Sequence, residues 1–275
     1  MVAVVPEPPL LVPELATGAT AETAALRAAC REAARRLAAS TSTWIAVGTD
    51  GGGRRTVGSG ARGSFVGFGV DVVVGLGPDA TDPVDAAMPL PLLVAGWLRE
   101  GLPVTVRGEL VAPDAEPGAC LALGAQIARE AAARTDAQPA PRAAPATALS
   151  ASDPAARAAS ATAPSAGDPA SLGGPPTALL VIGDGAATHT EKAPGYLDER
   201  AGPFDDAVAA ALAAANPAAL AALDPVLAAE LWVAGRATWQ VLAGATRDGT
   251  WTGELLHSSR PFGVGYHVAV WQRCG

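Results

Sequence analysis

Histidine is scarce in this chain. Only three occur in 275 residues, and none precedes His189. A metal centre built from imidazoles within residues 1–188 is therefore excluded. Cysteine is no richer: Cys30, Cys120 and Cys274 stand far apart, odd in number and in no CxxC spacing. That excludes a zinc ribbon or a disulfide framework and reads as a reduced cytosolic protein with incidental thiols. No apolar run approaches the roughly 18 residues that a membrane helix needs. The opening MVAVVPEPPLLVPEL lacks a basic leader region and is broken by prolines, so it does not read as a signal peptide. A soluble, cytoplasmic protein is the expectation. Positive charge is also short, with a net charge of −8 at pH 7 and a pI near 4.9. That balance argues against nucleic acid or an anionic membrane as partner. Eighteen of the nineteen basic residues are arginine and alanine is abundant, as in GC-rich coding sequence.

What the chain does hold is apolar residues, 49% of it, enough for a sizeable core. Residues 2–5 read as a strand stopped by Pro6-Glu7-Pro8-Pro9. Residues 20–39 repeat alanine and leucine at helical spacing, with Glu22 in the first turn and Arg35-Arg36 in the last, which suits the helix dipole. WIAVG at 44–48 reads as a second buried strand. A Gly/Arg-rich segment follows at 49–63, and SFVGFGVDVVVGL at 64–76 reads as one or two more strands. Asp82-Pro83 has the form of an N-cap with proline at N1, and residues 91–99 form a packed helix. A strand over 104–107 and a helix over 114–134 come next. Alternation of strand and helix predicts a three-layer α/β/α domain on a central, largely parallel or mixed sheet.

From 135 to 176 the composition turns to Ala, Pro, Ser, Thr and Asp, with only two leucines and no aromatic residue. Such a segment cannot bury enough apolar surface to offset its ordering entropy, so a disordered insertion in a single domain is expected there. Beyond it, residues 204–214 read as an amphipathic helix. Asn216-Pro217 and Asp224-Pro225 read as N-cap and N1 pairs opening two further helices, and residues 234–245 as another. Runs at 251–258 and 263–271 make a terminal hairpin, with Val264, Tyr266, Val268 and Val270 on one face and His267 and Trp271 on the other. Trp44, Trp97, Trp232 and Trp239 sit in apolar runs and read as core.

Chemistry is expected at TALLVIGDGAATH, residues 177–189. An apolar run ends at Gly183-Asp184-Gly185 and His189 follows, and ligands of α/β sheets collect beyond the carboxyl ends of strands. His189 reads either as an acid/base with Asp184 as its partner or as a loop histidine bonded to carbonyls. Glu7 reads as a pocket carboxylate or a solvated one. Asp50 precedes Gly51-Gly52-Gly53, where aspartate is an ordinary turn residue. A mixed oxygen/nitrogen metal site would have to come from Glu7, Asp50, His189 and His257 or Glu254, whose spacing follows no metal motif, and no metal ligand is assigned. His257 and His267 read as strand or edge histidines. GGGRR at 51–55 could cradle an anion, but without a following helix start it is not a P-loop and reads more simply as a mobile loop.

With those landmarks placed, the chain resembles the class III extradiol ring-cleavage dioxygenases, the LigB-like superfamily. The similarity rests on VPEPPLLVPEL, VIGDGAATH followed by PFDDAV, WQVLAGA and PFGVGYHVAVW. It implies a three-layer α/β/α fold, and association as a dimer or with a second subunit. It also implies opening of an aromatic diol with O₂ at non-haem Fe(II), held by two histidines and a carboxylate. By the same resemblance the first ligand position is Glu7, the second falls near Thr49 or Asp50, and the glutamate position, four before Trp239, is Gly235. Only the acid/base position, His189, keeps its residue. Glu7, Asp50 and Tyr266 are then expected to line a pocket for a small aromatic compound. Two readings follow: an oxidoreductase using His189 as acid/base, or a metal-free pseudoenzyme keeping the pocket as a surface for a small molecule or a protein.

Overall fold

The computed structural model describes residues 1–16, 18–136 and 177–274. In chain order it runs β1 (Val2–Val5), α1 (Thr20–Ser40), β2 (Thr43–Thr49), β3 (Arg55–Val57), β4 (Arg62–Ser64), β5 (Val73–Gly75) and β6 (Val84–Asp85). Then come α2 (Leu90–Leu98), β7 (Thr105–Val111), α3 (Pro117–Asp136), β8 (Thr177–Ile182) and α4 (Ala201–Ala213). Last are α5 (Pro217–Ala221), α6 (Pro225–Glu230), α7 (Arg236–Thr246), β9 (Trp251–Ser259) and β10 (Tyr266–Arg273). The insertion expected at 135–176 lies outside the described residues except for its first two, which end α3.

Seven strands form one sheet in the order β3-β7-β2-β8-β1-β10-β9. The central pairs β7–β2, β2–β8 and β8–β1 are parallel, and the outer pairs are antiparallel. The sheet is therefore mixed, with a parallel centre. Alternation along each strand divides the core. Ala3, Val5, Trp44, Ala46, Leu180, Ile182, Tyr266 and Val268 pack with α1 and α2. Val2, Val4, Ile45, Val47, Leu179, Val181, Ala269 and Trp271 pack with α3, α4 and α7. Helices cover both faces, which is the three-layer α/β/α arrangement.

Small residues let these layers approach closely. α1 buries Leu26, Cys30, Ala33, Ala34 and Leu37, a stripe at helical spacing. Between α3 and α7 the backbones nearly touch: a Cβ on Gly244 would meet the Leu121 carbonyl group. Trp271 is fully buried and donates Nε1–H to the Leu212 carbonyl at 2.7 Å, tying α4 to β10. Burial of such a side chain contributes roughly 1.5–3 kcal/mol.

Several local expectations need correction. Residues 64–76 hold a 3-10 turn, Phe65–Phe68, before β5, because the Ser64 hydroxyl accepts the Val66 N–H and Gly69 turns left-handed. Asp82-Pro83 opens no helix. Its chain continues as β6 beside β4, and the helix starts at Leu90 behind Pro89. Arg35 and Arg36 sit one turn inside α1 and pair with Glu32, and Arg36 also reaches Glu254 on β9. Trp232 is not core: it is 59% exposed, with a left-handed φ of 56°. Both proline-led helices form as read, the Asn216 side chain accepting Ala219 N–H and Asp224 accepting Val226 N–H. The terminal hairpin is antiparallel, with the alternation expected of it.

Among the described residues no helix is long and apolar enough to cross a membrane.

Candidate functional site

Three of the expected site residues follow the ends of three neighbouring strands. Val5 and Ile182 are register partners at the ends of β1 and β8, and Val47 pairs with Val181 on the other side. Glu7, Asp184 and Asp50 therefore all lie at the carboxyl edge of the sheet, where loops of this architecture carry ligands. The structure joins the first two and separates the third. The Glu7 N–H donates to Asp184 Oδ1 at 2.7 Å. Asp50 instead forms an ion pair with Arg55, Nε to Oδ2 at 2.9 Å. That pair also commits one guanidinium of the GGGRR segment, while Arg54 donates to Gln126.

The centre of the site is a residue the sequence reading passed over, Asp205. It lies on the buried face of α4 between Phe204 and Val208 and is 0% exposed. Its carboxylate accepts His189 Nε2 at 2.6 Å and the Ala186 N–H at 3.0 Å. His267 Nε2 lies 3.6 Å from Oδ1, too far for a hydrogen bond but close enough for its charge to be felt. The partner of His189 is thus Asp205, not Asp184.

The loop after β8 is pinned to the turn before β10. Gly185 N–H donates to the Gly265 carbonyl at 2.7 Å, Gly265 N–H to Ala186 at 2.9 Å, and His189 N–H to Gly263 at 3.2 Å. A Cβ on Gly265 would collide with the Asp205 carboxylate, so this turn closes over the aspartate only as glycine.

Charge in the site divides sharply. Burial opposes ionisation of Asp205, but His267, the His189 bond and the Ala186 amide outweigh it and hold the carboxyl below the usual range. Asp184 goes the other way. Burial, opposed by the Glu7 N–H and reinforced by the charge of Asp205, pushes it up to about 7. Burial, then the charge of Asp184, drives Glu7 well above the carboxylate range. Among the described residues Glu7 Oε2 is buried without a hydrogen-bond partner. Tyr266 is buried on the α1 side of the sheet, and burial and Asp184 raise its phenol. Asp184 therefore holds its proton at mildly acidic pH and Glu7 ionises less readily than an ordinary carboxylate, while Asp205 stays ionised opposite His189.

Among the described residues His189 Nδ1 has no protein partner. The loop that follows it borders a cleft of about 550 Å³ lined by Thr190, Glu191, Lys192, Arg260, Phe262 and Gly263. Neither His189 itself nor Glu7, Asp50 or Tyr266 is among the residues that line this cleft. His257 bonds Ser259 at 2.7 Å on the edge strand, as an edge histidine should. His267 is fully buried, its Nδ1 on Ser258 Oγ at 3.1 Å and its ring 6.2 Å from that of Trp239.

Among the described residues no three His, Cys, Asp or Glu side chains converge as donors to a cation. Gly235 has no room for a ligand either, since a Cβ there would sit 2.5 Å from the Trp239 ring.

Asp205 had one signal in the sequence: an acid on the apolar stripe of a helix, between Phe204 and Val208. His267 had a weaker one, a polar residue alternating with Ala269 and Trp271 on a buried strand. No protein-family model matches the chain, and no curated protein matches its sequence.

Proposed function

We propose that the chain is a divergent relative of the LigB-like class III extradiol dioxygenases that binds a small aromatic or phenolic compound without iron. His189 takes the phenolic proton. The residues present do not fit a centre of two histidines and one carboxylate. Glu7 stands at one histidine position with burial driving its carboxyl well above the usual range, Asp50 at another is neutralised by Arg55, and the Gly235 position is filled by the Trp239 ring. No step is therefore routed through a metal.

One observation carries the reading: a buried carboxylate that stays ionised is bonded to His189 Nε2 at 2.6 Å while Nδ1 has no protein partner among the described residues. A histidine oriented by a carboxylate in this way accepts a proton at its other nitrogen, and the aspartate stabilises the resulting imidazolium. The phenolate left behind is held in the adjoining cleft by Lys192, with Phe262 as an apolar wall, while Arg260 in that wall is already paired with Asp206.

The test is titration of 4-nitrocatechol followed by its phenolate absorbance. The wild type should bind the phenolate and lower its apparent pKa, and His189→Ala should bind at least about tenfold more weakly, ~1.4 kcal/mol. Equal binding by His189→Ala would refute the role of the histidine. One equivalent of iron after anaerobic Fe(II) loading, with catechol-dependent oxygen uptake, would refute the metal-free reading in favour of an oxidoreductase.

A further inference from the structure

A second cleft on the carboxyl side of the sheet shares no lining residue with the cleft beside Lys192 and Phe262. It has a volume of about 670 Å³ and runs between the β7–α3 connection, α6 and the start of α7. Its walls include Asp114, Glu116, Val226, Glu230, Trp232 and Arg236.

Trp232 is costly where it stands. It follows α6 with a left-handed φ of 56°, its N–H bonded to the Ala229 carbonyl at 3.1 Å and the next amide to Ala228 at 2.9 Å. That is the helix-ending position where glycine is the usual residue, and a bulky side chain there is strained by about 1–3 kcal/mol. The indole is also 59% exposed, so burial does not offset the strain. The chain uses 31 glycines elsewhere but places an indole here.

The charges beside the indole are of one accessible sign. Asp114 and Glu116 are exposed and form no ion pair among the described residues. Glu230 is shared with Arg200 at 2.7 Å. The cation in the wall, Arg236, is buried and turned inward. Its guanidinium donates to the carbonyls of Pro113 and Ala115 and to Gln240 Oε1. Arg236 thereby fastens the loop bearing Asp114 and Glu116 to α7 and sets the cleft wall in advance. An aromatic face beside free carboxylates, in a preformed cleft, is the chemistry that takes up an organic cation.

We propose that this cleft binds a small organic cation, an amidinium or quaternary ammonium group on an apolar body, stacked on Trp232 and neutralised by Asp114 and Glu116. The experiment uses the full chain labelled with ¹⁵N, with the Trp232 indole N–H signal assigned by its loss in Trp232→Gly. Benzamidinium and benzyltrimethylammonium are the probes, and benzyl alcohol and benzoate are the neutral and anionic controls. Both cations should shift the Trp232 signal saturably, with the controls at least about tenfold weaker.

Trp232→Gly relieves the backbone strain, so it should unfold no more readily than the wild type while calorimetry shows binding of either cation weakened tenfold or more. Asp114→Asn with Glu116→Gln should weaken the cations similarly at low salt and leave benzyl alcohol unchanged. The proposal is overturned if benzyl alcohol binds as well as the cations, if neither cation saturates, or if Trp232→Gly binds them like the wild type.

Discussion

Replacing Asp184 by asparagine removes a titration without removing the hydrogen bond it makes, because Asn Oδ1 can still accept the Glu7 N–H that now lies at 2.7 Å. In the folded protein the Asp184 carboxyl is pushed up to about 7, against about 3.9 in an unfolded chain. Between those values the folded state binds the extra proton, so stability is fully present below about pH 4 and is lost as pH rises through 7. At about 1.4 kcal/mol per pH unit the interval corresponds to ~4 kcal/mol lost by pH 8. An asparagine amide offset by one unsatisfied buried N–H, costing about 1–3 kcal/mol, leaves a net gain of ~1–3 kcal/mol at pH 8. At pH 5 the wild-type carboxyl is protonated and resembles the amide, so the variant should gain nothing there. Urea unfolding followed by circular dichroism at pH 5, 6.5 and 8 measures both curves. The reasoning fails if Asp184→Asn is no more stable than the wild type at pH 8, or if its advantage is the same at pH 5.

Four further substitutions test the frame around the site and its helices. Asp205→Ala strands the Ala186 amide and His189, and should cost ~3–5 kcal/mol in urea unfolding near neutral pH. Because the Asp205 carboxyl is held below its usual range, that contribution is present above about pH 4 and fades as pH falls, so the gap between variant and wild type should narrow in acid. Gly244→Ala drives a methyl into the Leu121 carbonyl and should destabilise by ~1–3 kcal/mol in the same assay. Gly118→Ala, open to solvent in the first turn of α3, should be neutral or stabilise by about 0.4–1 kcal/mol. Asp224→Ala removes the cap on Val226 N–H at 2.8 Å and should cost ~1 kcal/mol, seen as a Tm lower by roughly 2–4 °C.

The sequence alone determined the elements whose cause is local. The stripe from Leu26 to Leu37, the apolar strands at 44–48 and 177–182, the caps at Asn216 and Asp224 and the alternation from Tyr266 to Trp271 are set by neighbours within a few residues. Their periods and turn chemistry can be read in one dimension. The three-layer order followed from their alternation, and the carboxyl edge near His189 from where the eighth strand stops. Local reading failed where a short signal had a distant competitor. Phe65 turned into a 3-10 segment under the Ser64 cap, and Trp232 was pushed out of the core by the turn that ends α6. Only the tertiary structure decided which acid meets which base. His189 and Asp205 are sixteen residues apart on a loop and a helix, Glu7 and Asp184 follow different strands, and Asp50 was claimed by Arg55. A carboxylate's partner and protonation depend on burial and on charges brought close by folding, and no spacing along the chain encodes either.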